Sequence, residues 1–410
     1  MPPTSTRIRA LALCGVVVAL LLGGVAWQRT SLTAPAQAAS LAPLSVKGKQ
    51  IVRNGRLFRF RGVNRDTLEW GPSNWGGCGG DGHFTDRDFD LIRSWNVNIV
   101  RIPLSQAGWL GRRCSAGDYA RWVDDAVAKA NARGMYAILD LHWSDVQGRS
   151  PCDLGCLTGQ QPMPDADSLV FWRSVAARYA NDPGVVFGLY NEPHDVSWAC
   201  WRDGGCTTTS SAFTLNVVSY TAVGMQQLYD AVRATGARNL VIVGGLDWAY
   251  DLSGVVNGYA LNGRDIAYDT HVYTLWHRTT ADWDAHFGVV ADRYPVVSTE
   301  WGSSDCSTID SRRLLSYFDA PLGKPANRMS WTIWSWNNPG NCSQPSIIAD
   351  WDGTPLPGQG EMVKQALATD TRAAVRRAAR LRSARLRRPA ARAAGLPRRA
   401  RPGSPRSGRR

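Results

Sequence analysis

Short apolar runs rich in β-branched and aromatic residues recur along the chain at residues 60–64, 97–102, 135–141, 185–190, 239–244, 266–273, 295–299 and 329–336. Each is too short for a buried helix and reads as an interior strand. Between them the apolar positions follow the helical period. Over residues 118–133, Trp122, Val123, Ala126, Val127 and Ala130 share one side, and Gly134 ends the run. Segments 168–180 and 211–235 have the same character and predict two further helices. Eight strands alternating with helices predict an α/β fold closed into a (β/α)8 TIM barrel, which needs about 250 residues, rather than an open doubly wound sheet. Residues 44–60 alternate around Asn54-Gly55 and predict a short N-terminal β-hairpin. An open nucleotide-binding sheet would want a phosphate loop at an early strand-to-helix turn. The one G-x-G-x-x-G, residues 77–82, follows no strand and contains Cys78, so it reads as a loop.

Both ends of the chain depart from this pattern. Arg7 and Arg9 precede an apolar run from Leu11 to Trp27 and then Ala36-Gln37-Ala38, the layout of a cleavable secretory signal over residues 1–38. The run is short for a membrane span of about 20 residues. The mature chain is therefore expected to be secreted and extracellular, with no membrane attachment once the signal is removed. Residues 371–410 hold 15 arginines with no lysine and no acid, in a background of Ala, Pro, Gly, Ser and Leu. This composition predicts a disordered basic tail. With those 15 set aside, the remaining 32 of 47 basic residues face 34 acidic ones, so the net charge of +13 belongs to the tail. No aromatic residue is interleaved there to stack on bases, and no nucleic-acid partner is expected. Residues 39–370 remain as a single domain, expected to be monomeric.

Beyond Cys14, eight cysteines remain, an even number that suits disulfides in an exported chain. Close spacing favours Cys152–Cys156 and Cys200–Cys206, with Cys78–Cys114 and Cys306–Cys342 as the remainder. The spacings do not repeat as paired C-x-x-C knuckles, so neither a metal nor any other cofactor is expected.

In a barrel of this kind, side chains at the C-terminal strand ends converge on one mouth. Glu192, in Tyr190-Asn191-Glu192-Pro193, and Glu300, in Ser298-Thr299-Glu300-Trp301-Gly302, each close a short apolar strand. A charge there is costly to bury unpaired and belongs at a polar rim or in a site. Arg101 sits inside the apolar run Val100-Arg101-Ile102, where a carboxylate partner is expected. His142, Asn191, His271, Tyr273 and Trp336 complete the set of polar and aromatic strand-end residues. Two carboxylates flanking a sugar can cleave a glycosidic bond, one as proton donor and the other as nucleophile. Arg101 and Tyr273 are suited to keep one of them ionised. Among the 18 tryptophans, Trp75, Trp109, Trp143, Trp198, Trp201, Trp248, Trp276 and Trp301 fall in or beside expected loops, where some could offer flat faces to sugar rings.

The ordered series Arg-Gly-Val-Asn (61–64), Val-Arg-Ile-Pro (100–103), Asp-Leu-His-Trp (140–143), Tyr-Asn-Glu-Pro-His-Asp (190–195), His-Val-Tyr (271–273), Thr-Glu-Trp-Gly (299–302) and Trp-Ser-Trp-Asn (334–337) resembles glycoside hydrolase family 5, the cellulase family. The resemblance covers residues 44–368. It implies a retaining (β/α)8 hydrolase with Glu192 as acid/base and Glu300 as nucleophile. It further implies Asn191 on the sugar 2-hydroxyl, Arg101 and Tyr273 holding Glu300, His142 and His271 at the subsite before the cleaved bond, and Trp336 under that sugar. Thr299 and Trp301 stand where the family often has Gly and Phe around the nucleophile. Asn-Glu-Pro-His-Asp followed by Cys200-Trp201 is most similar to secreted bacterial endo-β-1,4-glucanases, so the expected substrate is a β-linked glucan polysaccharide or oligosaccharide. A β-mannanase or other β-glycanase of the same family is the enzymatic alternative. A carbohydrate-binding pseudoenzyme would have lost one carboxylate, and both are present. A metal-dependent amidohydrolase would want His-x-His near the first strand and a serine hydrolase Gly-x-Ser-x-Gly; neither occurs.

Overall fold

The computed structural model describes residues 41–69, 80–112, 114–144, 160–210, 217–303, 308–338 and 345–369, all within the compact unit Ala38–Arg410. Three short strands come first: β1 (Leu44–Lys47), β2 (Gln50–Arg53) and β3 (Arg56–Leu57). They form an antiparallel sheet in that order. The expected hairpin therefore has a third strand. Asn54 and Gly55, with φ of 51° and 70°, make the turn between β2 and β3, where two residues of positive φ match the twist of the paired strands. A second turn, at Gly48, adds β1.

Eight parallel strands follow: β4 (Arg61–Asn64), β5 (Ile99–Ser105), β6 (Tyr136–Trp143), β7 (Val185–Gly188), then, after the small ribbon β8 (Thr207–Thr209) and β9 (Ser219–Thr221), β10 (Val241–Gly244), β11 (Ile266–Tyr273), β12 (Val296–Gly302) and β13 (Ser330–Ile333). They close into a barrel in the order β10-β11-β12-β13-β4-β5-β6-β7. The eight expected strands are these eight. Their continuous apolar runs reflect burial on both faces, against the barrel interior and against the helices outside.

The helices begin where side chains can cap them. Ser115 accepts from the Asp118 N–H at the start of Ala116–Ala132, and Asp165 with Ser168 forms a reciprocal capping box at Ala166–Tyr179. Gly134, at φ 72°, ends the first of these as a left-handed residue that only glycine adopts cheaply. The expected helix over 211–235 is shorter than its polar-apolar pattern suggests. Among its described residues, 217–235, Met225–Ala234 is the helical part, while Ser219–Thr221 pairs antiparallel with Thr207–Thr209. Threonine-rich segments suit a strand better than a helix, because a branched Cβ crowds the helical turn. The Cys200–Cys206 disulfide sits just before this ribbon.

The N-terminal sheet packs beneath the barrel. Leu44, Ile51 and Phe58 share a core with Ile99, Tyr136, Ile138, Val186 and Ile242 from the strands. Tyr136 donates to the Ala42 carbonyl at 2.6 Å and Asp265 accepts from the Val46 N–H at 2.8 Å. This closes one end and leaves the C-terminal strand ends as the open mouth. Cys114 is disulfide-bonded. Cys78, Cys152, Cys156, Cys306 and Cys342, and with them the other expected pairings, lie outside the described residues, as do the expected signal and the basic tail. No helix among the described residues is long and apolar enough to cross a membrane.

Candidate active site

The mouth is organised by polar residues placed two apart on otherwise apolar strands, so that they share the inward face. Asp140 and His142 do this on β6, and Asp269, His271 and Tyr273 on β11. Gly188 on β7 pairs with Asp140, and a Cβ there would meet the Asp140 Oδ1 at 3.0 Å. A larger residue would press on that carboxylate. On β12 the register against β11 shifts between Asp269 and His271, so that Asp269 faces Val297 but His271 faces Glu300. Such a bulge re-aims one side chain into the site. Asp269 fixes it by accepting from the Thr299 N–H at 2.7 Å and from the Thr299 hydroxyl.

Arg101 is the hub and is 1% exposed. Its Nη1 donates to Glu300 Oε1 at 2.6 Å and to Asn64 Oδ1 at 2.9 Å. Its Nη2 donates to Asn191 Oδ1 at 2.5 Å and pairs with Asp140 Oδ2 at 2.9 Å. Burial works against the guanidinium charge, but Asp140, Glu300 and Asp269 outweigh it and hold the cation more firmly than in water. Tyr273 donates to Glu300 Oε2 at 2.7 Å, so both carboxylate oxygens have donors. Burial alone would raise the pKa of Glu300. The charges of His271, Arg101 and His142 and the Tyr273 hydrogen bond prevail and bring it down to about 2. Burial, then the Glu300 charge, pushes the Tyr273 phenol up, so it stays a donor.

His271 lies between the two glutamates. Its Nδ1 is 2.8 Å from Glu192 Oε1 and 3.8 Å from Glu300 Oε2, while Nε2 is 3.1 Å from the Thr299 hydroxyl and 3.3 Å from Asp269 Oδ2. Burial favours the neutral imidazole, yet the charges of Glu300 and Asp269 raise its pKa to about 10. His142 Nδ1 contacts Asp140 Oδ2 at 2.9 Å, and its ring stacks on Trp334 at 5.4 Å between centroids. Asn191, 2% exposed, donates to Gln160 Oε1 at 3.2 Å besides accepting from Arg101.

Glu192, Glu300, Asn191, His142, His271 and Tyr273 all line one cleft of about 810 Å³, together with Trp334, Trp248 and Trp276. Trp336 does not. Its ring is fully buried, packs edge-on against Trp95 at 5.0 Å and donates its N–H to Asp88 Oδ1 at 2.8 Å. The expectation that Trp336 underlies the sugar is corrected: of the two indoles in Trp-Ser-Trp, Trp334, joined to Ser335 by a cis peptide bond, is the one that lines the cleft. Of the tryptophans expected near loops, Trp109, Trp201 and Trp301 are core residues. Asn64, Asp140, Asp269 and Thr299 were not singled out from the sequence as site residues. Asp140 and Asp269 carried a signal, a lone acid two residues before a strand-end histidine.

One donor atom each from Glu192, His271 and Glu300 lies within 4.8 Å of the others, close enough to share a cation. Arg101 already occupies Glu300 Oε1, however, and His271 is held positive. A further cation would meet like charge from both sides, so the set is better suited to proton transfer and attack at carbon.

Residues 53–340 match the Cellulase family, glycosyl hydrolase family 5. Endoglucanase Z of Dickeya dadantii is 28% identical over 65% of this chain and 53% of its own length. Endoglucanase E-5 of Thermobifida fusca is 23% identical over 79% of this chain and 63% of its own. The chain thus spans between half and two thirds of these relatives. A β-glucanase crystal structure from Saccharophagus degradans superposes with a TM-score of 0.63 at 26% identity, covering 83% of this chain and 98% of that one. With its closed eight-stranded barrel and this match over most of its described length, the chain belongs to glycosyl hydrolase family 5, the cellulase family.

Proposed function

We propose that the protein is a secreted, retaining hydrolase of β-1,4-linked glucan, with Glu300 as nucleophile and Glu192 as acid/base. The observation that carries this is the carboxylate pair: an oxygen of Glu192 lies within 4.8 Å of one of Glu300. Retaining enzymes hold their carboxyl groups about 5–5.5 Å apart, whereas inverting ones leave about 6.5–9.5 Å for a water. The surroundings support separate jobs. Glu300 is buried, doubly hydrogen-bonded and kept ionised by cations, as a nucleophile must be. Glu192 is more open, with 19% of its side chain exposed, and can reach a leaving oxygen.

In the first step a Glu300 oxygen forms a bond to the anomeric carbon while the glycosidic C–O bond breaks, and Glu192 gives its proton to the departing oxygen. In the second, Glu192 takes a proton from water as the water oxygen attacks the same carbon, and the bond to Glu300 breaks. Asn191, fixed by Arg101 and Gln160, is positioned for the sugar 2-hydroxyl, and Trp334 offers its face beneath the same ring. A glucan substrate is supported by the relatives' name, endoglucanase, and by the Saccharophagus degradans β-glucanase crystallised with cellotetraose, 26% identical to this chain. Export is supported by the signal-like residues 1–38.

The test is reducing-sugar release from carboxymethylcellulose, mixed-linkage glucan, mannan and xylan by the wild type, Glu192→Gln and Glu300→Gln. We expect release from the glucans, lost in both variants. Preferential release from mannan would replace the substrate assignment, and an unimpaired Glu300→Gln variant would overturn the mechanism.

A further inference from the structure

We infer that His194 is a positioning residue for Glu192: its ring holds the main-chain carbonyl of that glutamate and, stacked on Trp248, ties the acid/base segment to the turn after β10. The inference rests on the proposed role of Glu192 as acid/base. Glu192 lies beyond Gly188, the last residue of β7, so the strand ladder no longer fixes its backbone. Other contacts take over. The Asn191 N–H donates to the Leu141 carbonyl and the His194 N–H to the Pro162 carbonyl, both at 3.0 Å. The Glu192 carbonyl accepts from Gln160 Nε2 at 3.2 Å and lies 2.8 Å from His194 Nδ1. A carbonyl can only accept, so Nδ1 carries the proton. Burial lowers the His194 pKa and keeps the ring neutral, with that one N–H.

The face of the same ring stacks on Trp248, with 3.6 Å between centroids and 10° between planes. Trp248 sits in a strained turn. Asp247, Trp248 and Ala249 have φ of 54°, 57° and 62°, three successive side chains in the left-handed region that glycine alone enters cheaply. Such a turn persists only where its surroundings fix it. Here the Trp248 N–H donates to the Pro193 carbonyl at 3.1 Å, and the Ala249 carbonyl accepts from the His271 N–H at 3.3 Å. His271 in turn meets the Glu192 carboxyl at 2.8 Å. The turn therefore holds Glu192 from both ends, its backbone through Pro193 and His194 and its carboxyl through His271. At the end of β10 a Cβ on Gly244 would meet the Tyr190 and Asn191 carbonyls at 3.0 Å, so glycine lets this strand lie closely against the segment. A general acid works only within hydrogen-bond reach of the leaving oxygen, and a displacement of about 1 Å can cost about 10²-fold in rate.

The test uses two aryl β-cellobiosides. Phenol departs with the help of a proton, whereas 2,4-dinitrophenolate leaves without one, and kcat/KM reports the first step alone. His194→Phe keeps a ring for Trp248 but removes the donor. Its kcat/KM for the phenyl glycoside is expected to fall about tenfold, a part of the ~10²–10⁴-fold that a placed general acid supplies, and that for the dinitrophenyl glycoside to stay within about twofold. His194→Asn, whose amide N–H can stand in for Nδ1–H, should recover most of the loss. If the Phe variant does not fold, judged by its Tm, His194→Leu makes the same comparison. Equal losses on the two substrates would mark a merely structural residue and overturn the inference, as would no loss on either. Glu192→Ala is the control for the reading beneath it: without a selective loss on the phenyl glycoside in that variant, the acid/base assignment itself fails.

Discussion

Arg101 reaches across the barrel mouth from β5 to lie 2.6 Å from Glu300 on β12. Its second arm contacts Asn191 and Asp140, so one buried cation sets both the charge of Glu300 and the place of Asn191. Arg101→Ala removes a preorganised donor, for which a loss of about 10²–10³ in kcat is usual. The Glu300 pKa should rise as well, moving the acid limb of the kcat/KM profile to higher pH. A profile with an unmoved acid limb and near-normal kcat would count against this role.

Asp269 acts one step further from the substrate. It holds Thr299 by two hydrogen bonds and lies 3.3 Å from His271 Nε2. In Asp269→Asn the shape is kept and the charge lost, so the His271 pKa should fall from about 10. NMR titration of the His271 imidazole reads this directly. A pKa that stays put would show that Glu300 alone keeps the ring charged.

His271 and Glu300 together make stability depend on pH. His271 is raised from 6.5 to about 10 in the folded protein, so its contribution is complete below pH 6.5 and is lost as pH rises through 10. Glu300 is lowered from 4.5 to about 2, so its contribution is complete above pH 4.5 and is lost as pH falls through 2. Tm is therefore expected to be highest between these limits, and Glu300→Gln should weaken both slopes because the two groups share one interaction. Slopes identical to the wild type would contradict this.

Trp334 and Trp336 are expected to behave oppositely. Trp336→Ala empties a buried site and takes the indole donor from Asp88 Oδ1, at a cost of about 3–5 kcal/mol measured by denaturant unfolding. Trp334→Ala should leave stability nearly intact and lower kcat/KM on cellopentaose. Equal destabilisation by the two would mean that Trp334 is a core residue as well.

These two tryptophans also mark where the sequence became ambiguous. The eight strands were legible because burial on both faces makes each an unbroken apolar run, and the charged residues stood out against them. β13 ends at Ile333, and beyond a strand's end the two-residue alternation no longer says which side chain faces the cleft. A Trp-Ser-Trp sequence therefore could not be divided into platform and core. The position of His271 between both glutamates depends on the β12 bulge, an extra residue fixed by Asp269, and bulges leave little trace in composition. Residues 211–235 misled for a related reason: a periodic helix, Met225–Ala234, follows a threonine-rich ribbon without a clear break.

The central claim is that Glu300 forms the bond to sugar. A 2-deoxy-2-fluoro-cellobioside with a good leaving group, given to the wild type, slows breakdown of the covalent intermediate enough for mass spectrometry of proteolytic peptides. The label is expected on Glu300, in the peptide containing Ser298-Thr299-Glu300-Trp301. A label on Glu192, or on any other carboxylate, would contradict the account.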